Sequence, residues 1–171
     1  MRFRLLSGAA AGLVAGVVFG VMMQMMTAPT PEGGRMPMMA MVAMVVGSQS
    51  LTVGWLYHLF NSAVIGALFG WLLGPKATTY GPGATLGAVW GVVWWVLGGL
   101  ILMPLFLGMP VFAPLRMAPM RPVAMGSLVG HLIYGLILGA VFVRLRRASG
   151  VTGHDARSAL PNRSRTGAGM S

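Results

Sequence analysis

Residues 54–74 read Gly-Trp-Leu-Tyr-His-Leu-Phe-Asn-Ser-Ala-Val-Ile-Gly-Ala-Leu-Phe-Gly-Trp-Leu-Leu-Gly. Every fourth position is Gly54, His58, Ser62, Gly66, Gly70 and Gly74. Residues four apart on a helix lie close to one face. The stretch therefore reads as an apolar helix carrying a stripe of small residues with one imidazole near its top. The same device returns 73 residues later as Ser127, His131, Gly135 and Gly139. Two such helices point to an all-α membrane protein assembled from two copies of one unit.

Composition agrees. The chain has 171 residues, 56% of them hydrophobic and 8% charged, with a mean hydropathy of +0.78. Soluble domains carry about a quarter charged residues. Membrane spans explain the deficit, because a charge at mid-bilayer costs roughly 2.5–3.5 kcal/mol even on the gentlest scale. The only acids are Glu32 and Asp155, and there is no cysteine. Disulfides, thiolate ligands and cysteine nucleophiles are thereby excluded. A net charge of +10 would suit nucleic acid, but the basic residues flank apolar spans or lie in the tail. They read as an orientation signal, with no nucleic-acid partner.

Four stretches are long enough to cross a bilayer, which takes about 20 helical residues. They are 5–26, 53–73, 83–103 and 123–143. The first is read as a retained span rather than a cleaved signal, since Met26 would occupy a position that wants a small residue. Four spans put both termini on one side with Arg2, Arg4, Lys76, Arg144, Arg146, Arg147, Arg157, Arg163 and Arg165. The other side holds Arg35, Arg116 and Arg121. The basic excess places both termini in the cytoplasm, in the plasma membrane. Trp55 and Tyr57 at one interface, with Trp71 and Tyr80 at the other, fit aromatic belts.

The repeat runs well beyond the two histidine helices. Gly8, Gly12 and Gly16 match Gly83, Gly87 and Gly91 at an offset of 75, and Pro29 matches Pro104. Met36-Pro37 then meets Met109-Pro110 at 73, followed by His58/His131, Gly66/Gly139 and Phe69/Phe142. Repeat one covers about 5–73 and repeat two about 83–147, together a single transmembrane domain over 1–147. Each unit holds two spans, so the units share an orientation about an axis along the membrane normal. Between the spans of unit one, Met36–Gly47 is an apolar 12-residue piece, suited to a re-entrant or interfacial helix. Its counterpart is interrupted by Pro114, Pro119 and Pro122 and is expected to be irregular. Residues 148–171 are polar and basic and are expected to be a disordered cytoplasmic tail.

Several constellations could carry chemistry. The ladders Gly8, Gly12, Gly16, Gly20 and Gly83, Gly87, Gly91, with Gly66, Gly70, Gly135 and Gly139, let helix backbones approach closely in lipid. Tight packing within one bundle accounts for them; a moving seam or an oligomer face is the functional alternative, and self-association is expected. His58 and His131 lie toward the outer side on small-residue stripes, with Asn61, Ser62 and Tyr134 beside them. These five form a candidate interior polar cluster, whose bland account is that each imidazole bonds a neighbouring carbonyl. Fourteen methionines fall within 22–44 or 103–125. Thioethers and imidazoles suit Cu(I), so copper is the alternative cofactor to none, held by His58, His131, Met22, Met23, Met25 and Met26. Core filling is the plainer role for methionine. Arg144, Arg146 and Arg147 could hold anionic lipid at about 1 kcal/mol each. No span contains an acid, and no nucleotide loop, catalytic triad or HExxH helix occurs. The chain does not read as an enzyme.

The segment Gly54–Gly70, the run Trp94-Trp95-Val-Leu-Gly98-Gly-Leu-Ile-Leu-Met-Pro104, and Gly130-His131 with Gly135 resemble a group of small four-helix integral membrane proteins of bacteria and archaea. The resemblance spans most of 8–143 and implies no activity. The expected function is a non-enzymatic multi-pass membrane protein whose outer-side core is organised by His58 and His131. Copper handling, passive passage of a small solute, and a structural or regulatory subunit are the alternatives.

Overall fold

A computed structural model describes residues 1–30 and 33–158, with side chains as far as Ser149. The chain is mostly helical, and one helix lies on each of the four apolar stretches. Helix α1 spans Arg2–Met25 and α3 spans Leu51–Leu72. Helix α4, Tyr80–Trp94, continues through a π-helical segment, Trp95–Leu102, into α5, Met103–Phe106. Helix α7 begins at Arg121 and runs to Ser158. Four helical stretches are long and apolar enough to cross a membrane: Arg2–Met25, Leu51–Leu72, Tyr80–Phe106 and Ala118–Ser149. The molecule is an α-helical membrane protein.

Small residues set the packing. A Cβ added to Gly8 would collide with the carbonyl of Gly66, and one added to Gly12 with that of Ser62. These contacts draw α1 and α3 together backbone to backbone. The second seam repeats the device: Gly83 faces Gly139, Gly87 faces Gly135, and Gly91 faces the His131 carbonyl, joining α4 to α7. The glycine ladders are thus spent inside the chain. A third seam joins α1 to α7 by a different rule, ring onto glycine. The Phe19 ring lies on Gly130, and the Met26 methyl lies on Gly126. In order of contact the helices run α3, α1, α7, α4, while α3 and α4 barely touch along their length. Trp90 bridges that gap, its indole N–H donating to the Ile65 carbonyl at 3.2 Å. Beside it Phe69, Leu138, Phe142 and Val143 are fully buried, with the Phe69 and Phe142 rings edge to face at 5.6 Å.

One end of the bundle gathers the start of α1, the α3–α4 turn and the late part of α7. Gly70 abuts the Arg4 carbonyl. The Arg146 guanidinium donates to the carbonyls of Gly74 at 2.6 Å and Ala77 at 3.3 Å. The opposite end differs from expectation. Two three-residue strands, β1 (Thr27–Pro29) and β2 (Arg35–Pro37), pair antiparallel where no strand was expected. The apolar piece 36–47 contains α2, Met38–Met44, which folds back on α1 and α3 with Met39 fully buried. The loop after Pro110 is broken into α6, Ala113–Arg116, and a single 3₁₀ turn, Ala118–Met120. Phe112 at its start has φ of +62°, a left-handed conformation uncommon for a bulky residue.

The π segment is a further departure. Pro104 has no N–H to give the Leu100 carbonyl four residues back, and Phe112 from the loop donates to that carbonyl instead, at 2.8 Å. Within the stretch 148–171 expected to be a disordered tail, α7 continues to Ser158. Residues 159–171 lie outside the described residues.

Candidate functional site

The stripe on α3 aims His58 and Ser62 at α1. The His58 Nε2–H donates to the Gly16 carbonyl at 2.8 Å. A carbonyl only accepts, so Nε2 carries the proton and Nδ1 keeps its lone pair, for which the described residues supply no partner. The Ser62 hydroxyl donates to the His58 carbonyl at 2.8 Å, the i−4 bond open to a serine inside a helix. The Tyr134 hydroxyl donates to the Ser62 carbonyl at 2.8 Å and ties α7 to α3.

On α7 the same logic gives the other tautomer. His131 Nδ1–H donates to the Ser127 carbonyl at 2.8 Å, with the Ser127 hydroxyl 3.3 Å away. The lone pair is then on Nε2, again without a protein partner among the described residues. The two imidazoles do not meet each other. They flank Phe19, whose ring stands edge-on to both, with centroids 5.7 Å from His58 and 4.7 Å from His131.

His58, Asn61, Ser62, His131 and Tyr134, the five polar residues read from the sequence, line one cavity of about 240 Å³. It occupies the gap that α3 and α4 leave open. Tyr57 and Val64 form one wall, Trp94, Gly98, Leu102 and Phe106 the other, and Phe19 and Met23 the back. Val64, Leu102 and Phe106 are exposed apolar residues, so the mouth opens sideways between these helices. A smaller cavity of about 30 Å³ lies next to it, lined by Met38, Met41, Met103, Met109 and Met120 among others. Met38, Gly99, Met103 and Ser127 border both.

The methionine run fares differently. Met23 is buried and lines the larger cavity, while Met22 and Met26 are half-buried against the core. Met25 is 80% exposed. At roughly 100° per residue, Met22 and Met26 lie on one side of α1, Met23 turns away from them into the cavity and Met25 turns outward, so the four thioethers do not share one face. Among the described residues no group of three or more His, Cys, Asp or Glu is placed to hold a metal. The donors at this site are imidazoles and thioethers.

No family model, curated protein or solved structure matches this chain.

The site's meaning therefore rests on its geometry. Sequence reasoning missed Phe19 and Gly99 and did not single out Met38 or Met103. Met38 and Met103 fell within the methionine windows, but nothing in the pattern separates them from their neighbours. Trp94 Nε1 is buried without an acceptor, as Gln24 Oε1 is without a donor. Of the juxtamembrane arginines, Arg144 is exposed and Arg146 is engaged on the α3–α4 turn. Arg147 stacks over the Tyr80 ring at 4.7 Å.

Proposed function

We propose that this chain is a non-enzymatic, four-span protein of the cytoplasmic membrane, built from two tandem two-helix units, that binds a small solute in the cavity between the units. The supporting observation is the match between the two glycine seams. Under the sequence alignment of the units, Gly8 on Gly66 corresponds to Gly83 on Gly139. Likewise the bond from His58 to the Gly16 carbonyl corresponds to the approach of Gly91 to the His131 carbonyl. Unrelated helices have no reason to share both register and partners.

The same alignment gives the cavity a physical cause. Phe19 on Gly130 closes the α1–α7 seam, ring into a space left by glycine. The aligned positions on α4 and α3 are Trp94 and Tyr57, and both line the cavity. Two large rings cannot interdigitate where a ring and a glycine can. The second seam is held apart, and the departure from twofold symmetry is the binding space. Fully buried Phe69, Leu138 and Phe142 and the Trp90–Ile65 bond favour a binding pocket over an open conduit. Basic residues favour cytoplasmic termini, with Arg144 and Arg147 at anionic headgroups.

The test uses single cysteines, for which the native chain gives no background. In intact cells Gly33→Cys should react with an impermeant maleimide, and Lys76→Cys only after permeabilisation. Asn61→Cys should react with the small N-ethylmaleimide and be protected when Gly98→Trp fills the cavity. Labelling of Lys76→Cys and Gly33→Cys from the same side would overturn the topology. An Asn61→Cys that Gly98→Trp leaves unprotected would overturn the cavity as a binding space.

A further inference from the structure

We infer that the passage where the two cavities meet is a Cu(I) site, with His131 Nε2 and the thioethers of Met38 and Met103 as its three donors. The inference rests on the binding cavity proposed above and names what it binds. Met38 and Met103 border both cavities, together with Gly99 and Ser127. Gly99 keeps the passage free of a side chain beside the His131 ring. A Cβ built there would stand 3.8 Å from His131 Cε1 and 3.6 Å from the Ser127 hydroxyl. His131 reaches this place from α7, Met38 from α2 and Met103 from the end of the π segment, so the set exists only in the folded chain.

The tautomer is the one a metal needs. Nδ1–H is committed to the Ser127 carbonyl at 2.8 Å, which fixes the ring and leaves Nε2 bare. This is the outer-shell arrangement that orients metal-bound histidine elsewhere. The donor set selects the metal by softness. Thioether and imidazole suit Cu(I), whereas Mg²⁺, Ca²⁺ and Mn²⁺ want carboxylate or carbonyl oxygen. Three neutral donors leave a monovalent ion with one charge, and a divalent ion would keep two at much greater cost in an apolar surround. Met41, Met109 and Met120 line the smaller cavity behind the passage and offer further thioethers beyond it.

Silver(I), which shares the softness and charge of Cu(I) and needs no reductant, serves as the probe. Full-length protein labelled with ¹³C at the methionine methyls is placed in nanodiscs and titrated with Ag(I). The Met38 and Met103 methyls should shift together, saturating at one equivalent, while exposed Met25 stays in place. His131→Ala should weaken binding by about tenfold or more. Val129→Ala, at an exposed position on α7 that lines neither cavity, should retain the site and serves as the folded control. Unmoved Met38 and Met103 methyls at saturating Ag(I), a response centred on Met22–Met26 instead, or an affinity indifferent to His131→Ala would each overturn the assignment. If the cysteine labelling holds and the methyls do not move, only the metal falls. If the labelling fails, the cavity reading falls whatever silver does.

Discussion

His58 and Gly16 are joined across the α1–α3 seam by a hydrogen bond of 2.8 Å, from the Nε2–H of one to the carbonyl of the other. The bond fixes the imidazole's tautomer and its distance from Phe19. It also holds the seam at the height where backbone-to-backbone glycine contact gives way to the Trp55 ring packed on Gly20. Interhelical hydrogen bonds in membranes average about 0.6 kcal/mol and reach about 1.7. His58→Leu, close in volume, should therefore cost about 0.6–1.7 kcal/mol in reversible unfolding from mixed micelles. A loss well beyond that range would mean the ring is held by more than this bond.

The backbone-to-backbone seams should be far less forgiving. Gly66→Ala and Gly139→Ala each place a methyl against a carbonyl on the facing helix. Overpacking of this kind costs about 1–3 kcal/mol. Gly98 has nothing within reach of an added Cβ, so Gly98→Ala should be neutral or mildly stabilising through helix propensity. Thermal unfolding of the three variants in one detergent checks the order; equal Tm values would refute it.

Tyr134 contributes a single bond, to the Ser62 carbonyl at 2.8 Å. Tyr134→Phe should lower stability by about 0.6 kcal/mol and loosen α7 from α3 without disturbing the glycine seams. Hydrogen exchange should then accelerate around Ser62 and stay unchanged at Gly87 and Gly135. Equal acceleration in both seams would show that the tie acts globally.

Arg146 clasps the α3–α4 turn through the carbonyls of Gly74 and Ala77, and Lys76 between them is exposed. Arg146→Gln should raise the rate of tryptic cleavage after Lys76 several-fold, whereas exposed Arg144→Gln should leave it unchanged. Equal rates in the two variants would show that the turn is held by its own backbone.

Much of this architecture is legible in the sequence because membrane helices obey two coarse rules, length and small-residue spacing. Gly8, Gly66, Gly83 and Gly139 announce close contact since little else lets two backbones touch. The polar cluster is legible for a related reason: His58 and His131 on small stripes must face protein. What stays hidden depends on geometry finer than pattern. A π segment at Trp95–Leu102 has the same apolar composition as the α-helix it replaces. The hairpin of Thr27–Pro29 with Arg35–Pro37 is too short for alternation to register. Phe19 between the imidazoles is one phenylalanine in a uniformly apolar span. Within the methionine run only Met23 lines the cavity, a distinction that the i, i+3 and i, i+4 neighbours Met22, Met25 and Met26 do not reveal in sequence. Only the folded chain places Met38, Met103 and His131 on one cavity.

The clasp at Arg146 also bears on chain order. The segment that secures the α3–α4 turn follows both of the helices it joins in chain order. Until the clasp is made, the Gly74 and Ala77 carbonyls stand without the guanidinium that ties them to α7. A chain cut before Arg146 would keep α1, α3 and α4 whole and still lack its latch, so the order of the turn is set by a residue 70 positions further along the chain than Lys76.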